Sequence, residues 1–275
     1  MHSSETHSQS ATSGQAVSAV AATAEGLTLA YGERAALVGA SFELPVGASV
    51  ALIGPNGSGK STLLRALAGL VPPRSGSLDV SARARRGAVA LVLQTTDVDR
   101  TLPITVRETV TMARYATRGA FGRLRAADHA AVRDALDRLE VADLAGRQLH
   151  ELSGGQRQRV LVAQGLAQQA ELLLLDEPVT GLDVVSRELI LEAVVAETGA
   201  GRTVVVSTHD LDDARRADLV LLLANRVVAC GPPGEVLVED LLGAAYGGRV
   251  LRLPSGLVVV DDPHHTDHTH TPVVG

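Results

Sequence analysis

Gly54-Pro55-Asn56-Gly57-Ser58-Gly59-Lys60-Ser61-Thr62 contains the only lysine among the chain's 25 basic residues; the other 24 are arginines. The spacing G-x-x-x-x-G-K-[ST] suits anionic oxygens. Glycines let backbone amides curl around phosphates, the lysine reaches the β and γ oxygens, and the next hydroxyl, Ser61, binds magnesium. A guanidinium is a broad planar fork and an ammonium a compact point charge, so a loop wrapped on phosphate has room for the second. Other segments carry matching chemistry. The apolar run Leu172-Leu173-Leu174-Leu175 closes on Asp176-Glu177-Pro178. Asp176 there suits magnesium, directly or through water, and Glu177 suits a proton taken from attacking water. Charges that merely cap a strand are the plain alternative.

Ser153-Gly154-Gly155-Gln156 opens a helical run with bare backbone amides. That makes either a second anion-binding terminus or an ordinary N-cap. Two phosphate-binding loops in one chain suggest one serving in cis and one in trans, hence a head-to-tail dimer with nucleotide at its interface. Gln94 ends one apolar run, and His209 follows the β-branched run at 203–207. Past the C-terminal end of a parallel strand, such residues face the crevice where ligands bind. Gln94 then reaches magnesium and water through its amide, and His209 reaches the γ-phosphate and the same water; a solvated surface histidine is the alternative.

These groups need a frame. Short apolar runs at 48–53, 87–93, 171–175, 203–207 and 218–223 read as buried strands, with further strands at 27–30, 36–44 and 226–229. Helical patterns follow at 61–69, across 106–144, at 157–170 and near 184–198. Strands alternating with helices predict an α/β fold around a parallel sheet, with the helical stretch of about 97–160 inserted as a subdomain. Residues 1–25, rich in Ser, Thr, Ala and Gln, read as a disordered leader without a signal-peptide pattern, and 249–275 as an extension with a His-rich tail.

Composition removes several classes. Hydrophobic residues make up 45% of the 275, but aromatics only 2% with no tryptophan, which argues against base-stacking surfaces. A net charge of −6 argues against a general polyanion binder. One cysteine, Cys230, precludes an internal disulfide, and no apolar stretch has the length of a membrane span, so the chain reads as soluble.

Taken in order, Tyr31, 54–62, Gln94, 152–156, 172–178, Thr180-Gly181-Leu182-Asp183 and His209 resemble the ATP-binding subunits of ABC transporters, over about 26–248. The resemblance implies a P-loop NTPase core with an N-terminal antiparallel β subdomain and an inserted helical signature subdomain. It implies ATP and Mg²⁺ as cofactors, Tyr31 stacked on adenine, and Ser153, Gly154, Gly155 and Gln156 closing over the γ-phosphate held by a second copy. Asp183 is then at the subunit interface. One departure stands after the signature, where an arginine-alanine pair is common and this chain has Gln164-Gly165; a packing change is expected there, not lost activity.

Such a subunit works with transmembrane permease subunits at the cytoplasmic face of the membrane, and with an extracytoplasmic metal-binding protein through the permease. The run 97–112, with Asp99 and Pro103-Ile104-Thr105-Val106, is similar to the zinc/manganese importer group, without the aromatic common there. Siderophore importers share parts of it. The tail adds His264, His265, His268 and His270 among three aspartates, a set able to bind Zn²⁺ loosely or to do nothing at all. Zinc is the favoured cargo and manganese the next. A soluble ABC ATPase acting on nucleic acid or ribosomes is the rival of a different class, disfavoured by the single cassette and the acidic balance.

Overall fold

The computed structural model describes residues 19–94, 103–247, 250–252 and 258–260. Asp99 and the four tail histidines lie outside the described residues. Four runs with almost no polar residue form strands β3 (Ser49–Ile53), β6 (Leu172–Asp176), β7 (Thr203–Ser207) and β8 (Leu219–Leu223). Strands apolar on both faces belong in the middle of a covered parallel sheet. With β5 (Val89–Val92) and β9 (Val227–Gly231) they make a six-stranded sheet in the order β5-β6-β7-β3-β8-β9, parallel except for β9.

Alternate residues feed two cores. Leu52, Leu174 and Leu221 pack with α1 (Lys60–Leu67) and with an antiparallel sheet of β1 (Val20–Tyr31), β2 (Arg34–Pro45) and β4 (Ser75–Val80). On the other face Leu173 and Leu175 pack against α5 (Val184–Gly199). Ile53, Val220 and Leu222 pack against α6 (Leu211–Arg215), α7 (Pro233–Val236) and α8 (Glu239–Tyr246).

Between β5 and β6 the chain leaves the sheet to form α2 (Val106–Arg118), α3 (Ala126–Arg138) and α4 (Gly154–Gln168). This insertion is pinned by charge as well as by apolar contact. Asp128, wholly buried, accepts from Arg114, from Arg118 and from the Arg125 amide. Arg114 also donates to the carbonyls of Ala167 and Gln168, so three helices meet at one ion cluster.

Two sequence expectations change. Among the described residues the first strand starts at Val20, not near Gly26: Ala22 and Ala24, read as leader, are buried and pair with Leu44 and Phe42 on β2. Gly26 (φ 56°) marks a register shift inside β1 instead of its start, a use glycine serves because it adopts positive φ freely. The helical insertion runs past 160, since α4 continues to Gln168. Within the helical stretch 106–144, α2 ends at Arg118 with Gly119 as its C-cap and α3 follows. Among the described residues no helix is long and apolar enough to cross a membrane.

Candidate functional site

The loop 54–59 joins the C-terminal end of β3 to α1, and its residues 56–59 wall a cavity of about 400 Å³ together with Tyr31, Lys60, Ser61, Thr62 and Glu177. Two of its glycines are required by space. A Cβ at Gly54 would sit 2.1 Å from the Leu223 carbonyl oxygen, and one at Gly59 2.7 Å from that of Ala36. Gly59, at φ 103°, is the N-cap of α1, and no side chain caps that helix. The N-terminal end of α1 therefore points its partial positive charge at an anion. Lys60 is nearly buried, with Nζ donating to the carbonyls of Gly54 (2.6 Å) and Pro55 (3.3 Å). Ser58 Oγ is buried without a partner. A glycine cradle, a helix N-terminus without a side-chain cap, one lysine and an orphaned hydroxyl fit a nucleotide's phosphates, which ATP supplies.

The residues expected to meet magnesium converge on the same side. Ser61 Oγ donates to Asp176 Oδ1 at 3.0 Å, and Asp176 is 4% exposed. A hydroxyl and a carboxylate in contact, both oxygen donors, fit magnesium. Glu177 follows Asp176 with φ 46°, a left-handed backbone rare for a residue with a side chain. Gln94 Nε2 donates to Glu177 Oε2 at 3.2 Å, and Thr180 Oγ1 donates to the same oxygen at 3.3 Å. So Gln94, Asp176, Glu177, Ser61 and Lys60, far apart in sequence, lie along one set of strand ends. Tyr31, half exposed, stands at the cavity rim with its hydroxyl 3.4 Å from Arg65.

Two groups of expected site residues lie elsewhere. Ser153, Gly154, Gly155 and Gln156 do not line this cavity. Ser153 caps α4 in a reciprocal box: its Oγ accepts from the Gln156 amide, and its own amide donates to Gln156 Oε1. Gly155 abuts the start of α5, where a Cβ would meet Asp183 Oδ2 and Ser186 Oγ at 3.3 Å each. Asp183 caps α5 and accepts from the Ser186 amide and hydroxyl, which hold its carboxyl below the usual range. Just beyond it, Val184 and Val185 are 76% and 64% exposed.

His209 is exposed and lines a smaller cleft of about 130 Å³ with Gly181 and Leu182. Its loop is tied to α5 by Arg187, which donates to Asp210 at 2.7 Å and to Asp213 at 2.6 Å. Burial nevertheless keeps the Asp213 carboxyl above its ordinary value.

Sequence reading missed Asn225. In the turn between β8 and β9, at φ 53°, it donates through Nδ2 to the carbonyls of Gly57 (2.9 Å) and Ala36 (3.1 Å). Its amide donates to the Ser58 carbonyl at 3.1 Å. Asn225 thereby pins the phosphate loop to β2. An asparagine before an arginine looks like any turn residue, and only the fold brings it to the loop. At the Gln164-Gly165 departure, a Cβ on Gly165 would sit 2.7 Å from Val92 Cγ2 and 3.1 Å from Leu173 Cδ1, so α4 rides directly on the sheet there.

With that geometry in place, comparison with known proteins is specific. The family model for ABC transporters matches residues 37–180. The manganese transport system ATP-binding protein of Listeria innocua is 36% identical over 85% of this chain and 99% of its own length. The zinc transport system ATP-binding protein of Treponema pallidum is 39% identical over 84% and 89%, and the hemin import ATP-binding protein of Streptomyces coelicolor is 42% identical over 90% and 91%. A solved transporter described as of metal-chelate type, inward-facing, superposes with a TM-score of 0.73 at 30% identity, covering 83% of this chain and 89% of that one.

Proposed function

Because this chain belongs to the ABC transporter family as its ATP-hydrolysing subunit, we propose that it energises import of a transition metal, as the divalent ion or as a chelate, through a separate membrane permease. The observation that carries the catalytic half of this reading is the placement of Glu177 on the wall of the cavity that Lys60 and the glycine loop line. Lys60 and the α1 amides hold the β and γ phosphates. Ser61 and Asp176 would hold magnesium, which would supply neutralisation of charge on the transferred phosphoryl group. Glu177, oriented by Gln94 and Thr180, takes the proton of the attacking water. Catalysis of this kind is mostly positioning and electrostatics.

The signature residues 153–156 act in trans. They sit outside their own chain's phosphate cavity, beside Asp183 and an exposed valine pair, a surface suited to a second copy arranged head to tail. His209 reaches the γ-phosphate in that closed dimer. The permease docks at the membrane-facing side, which puts this subunit on the cytoplasmic face, and an extracytoplasmic binding protein delivers the cargo.

Zinc, first in the sequence reading because of the tail histidines and the segment around Pro103, stays the first cargo to test. The curated relatives named above carry manganese, zinc and hemin by their names, and the 42% identity to the hemin protein favours a metal chelate as the second reading. Deletion of the gene tests both. Lost growth in chelator, restored by zinc alone or by manganese alone, identifies the ion; lost growth on hemin as sole iron source identifies the chelate. Unaltered uptake of zinc, manganese, iron and hemin overturns the import reading.

A further inference from the structure

Ser207, the last residue of β7, is completely buried and lies in register with Asp176 on one side and Leu52 on the other. Its hydroxyl does two things. It donates to Asp176 Oδ1 at 2.7 Å, and it accepts from the Glu177 amide at 2.8 Å. One hydroxyl has a donor and two acceptor positions, so both bonds fit a single rotor. The second bond matters because of the Glu177 backbone. A φ of 46° is a conformation that a residue with a Cβ keeps only when its surroundings hold it there. The Glu177 amide, turned away from the strand's own direction at that point, finds its acceptor in Ser207.

We infer that Ser207 is a positioning residue for hydrolysis, the clamp that sets the Asp176 carboxylate and the Glu177 backbone at once. This rests on the reading of Asp176 as the metal-holding and Glu177 as the proton-accepting carboxylate. Ser61 also donates to Asp176 Oδ1, but it belongs to the loop-helix junction that meets the nucleotide. Ser207 is fixed by ladders to both neighbouring strands, so it holds Asp176 from the rigid side. Without the hydroxyl, Oδ1 loses a short bond and the half-buried Glu177 amide loses its acceptor. The left-handed turn then loses the bond that holds its backbone amide.

The test uses the full-length protein with Ser207→Ala and Ser207→Thr. Amide hydrogen exchange of the nucleotide-free protein reads the clamp without any turnover. In Ser207→Ala the Glu177 amide is expected to exchange about ten-fold faster, the size of one hydrogen bond, while Ser207→Thr stays near wild type. In steady-state ATPase assays, Ser207→Ala is expected to lose about ten-fold in kcat with the KM for ATP within about two-fold, and Ser207→Thr to recover most of the rate. A Ser207→Ala protein with unchanged Glu177 exchange, or with unchanged kcat, overturns the inference. A wild type that hydrolyses no ATP would overturn the hydrolytic reading instead, and the exchange result would still report whether the clamp exists.

Discussion

Replacing Asp128 by Asn should remove more stability than any other single isosteric change in the helical insertion. The reason lies in the donors around it. Oδ1 accepts from Arg114 Nε at 2.9 Å and Arg118 Nε at 3.2 Å, with Arg114's second nitrogen at 2.8 Å; Oδ2 accepts from Arg118 Nε at 2.9 Å and the Arg125 amide at 2.8 Å. Every neighbour donates, so either orientation of an Asn amide points its NH₂ at an N–H. The charge is lost too, while Arg114, 7% exposed, stays buried. Removing one partner of a buried ion pair costs about 3–5 kcal/mol, which for a domain of this size lowers Tm by about 6–20 °C. Thermal unfolding against pH gives a second check. Burial by itself would raise the Asp128 carboxyl, but the bonds from Arg125, Arg118 and Arg114 outweigh it and hold the group well below its ordinary value. The stability it supplies is thus fully present above the unfolded value near ~3.9 and is lost as pH falls through the folded one. The gap between wild type and variant should be flat from neutral pH to about pH 5 and close in stronger acid. A gap below about 1 kcal/mol, or one that widens on acidification, would refute the reasoning.

Three further outcomes follow from the site. Glu177→Gln should lower ATP turnover by about 10²–10⁴-fold while ATP binding persists and, with ATP present, a dimer accumulates on gel filtration; unchanged turnover removes Glu177 as the base. Lys60→Arg keeps the charge but must fit a fork where Nζ lies 2.6 Å from the Gly54 carbonyl, so ATPase activity should fall by about 10²-fold or more, and near-normal activity would sink the steric argument. Gly165→Ala adds a methyl 2.7 Å from Val92 Cγ2; overpacking of about 1–3 kcal/mol against about 1 kcal/mol of helix propensity predicts a neutral to 2 kcal/mol loss by denaturant melt with ATPase retained, and a clear stability gain would mean the contact is not tight.

What could be read from the sequence was whatever is encoded within a few residues. The glycine loop, the carboxylate pair after four leucines and the Ser153 cap are local patterns, and the strands that carry them are continuous apolar runs with few alternatives. β1 was cut short because a glycine inside a strand looks like its end, whereas its actual role as a register shift depends on which residues of β2 and β4 lie opposite. β4 itself, Ser-Gly-Ser-Leu-Asp-Val, has too few apolar residues to announce a strand and exists because β1 offers it an edge.

The same logic explains why Ser207 and Asn225 escaped notice while the residues of the motifs did not. A group that meets phosphate or water must be of one chemical kind at one point in a motif, so its type and spacing are legible. A group that holds it needs only to donate or accept from the right place. Ser207 comes 30 residues after Glu177 and Asn225 168 after Gly57, and each is an ordinary residue for its strand end or turn. Their importance arises when the parallel order β6-β7-β3-β8 sets four strand ends side by side, because that order turns distant sequence into adjacent hydrogen-bonding groups. Substitutions at Ser207 and Asn225 should therefore act on the positions of Asp176, Glu177 and the phosphate loop more than on the sheet's stability, while changes at Asp128 act chiefly on stability. That division separates the two kinds of hydrogen-bonding support in this fold by experiment.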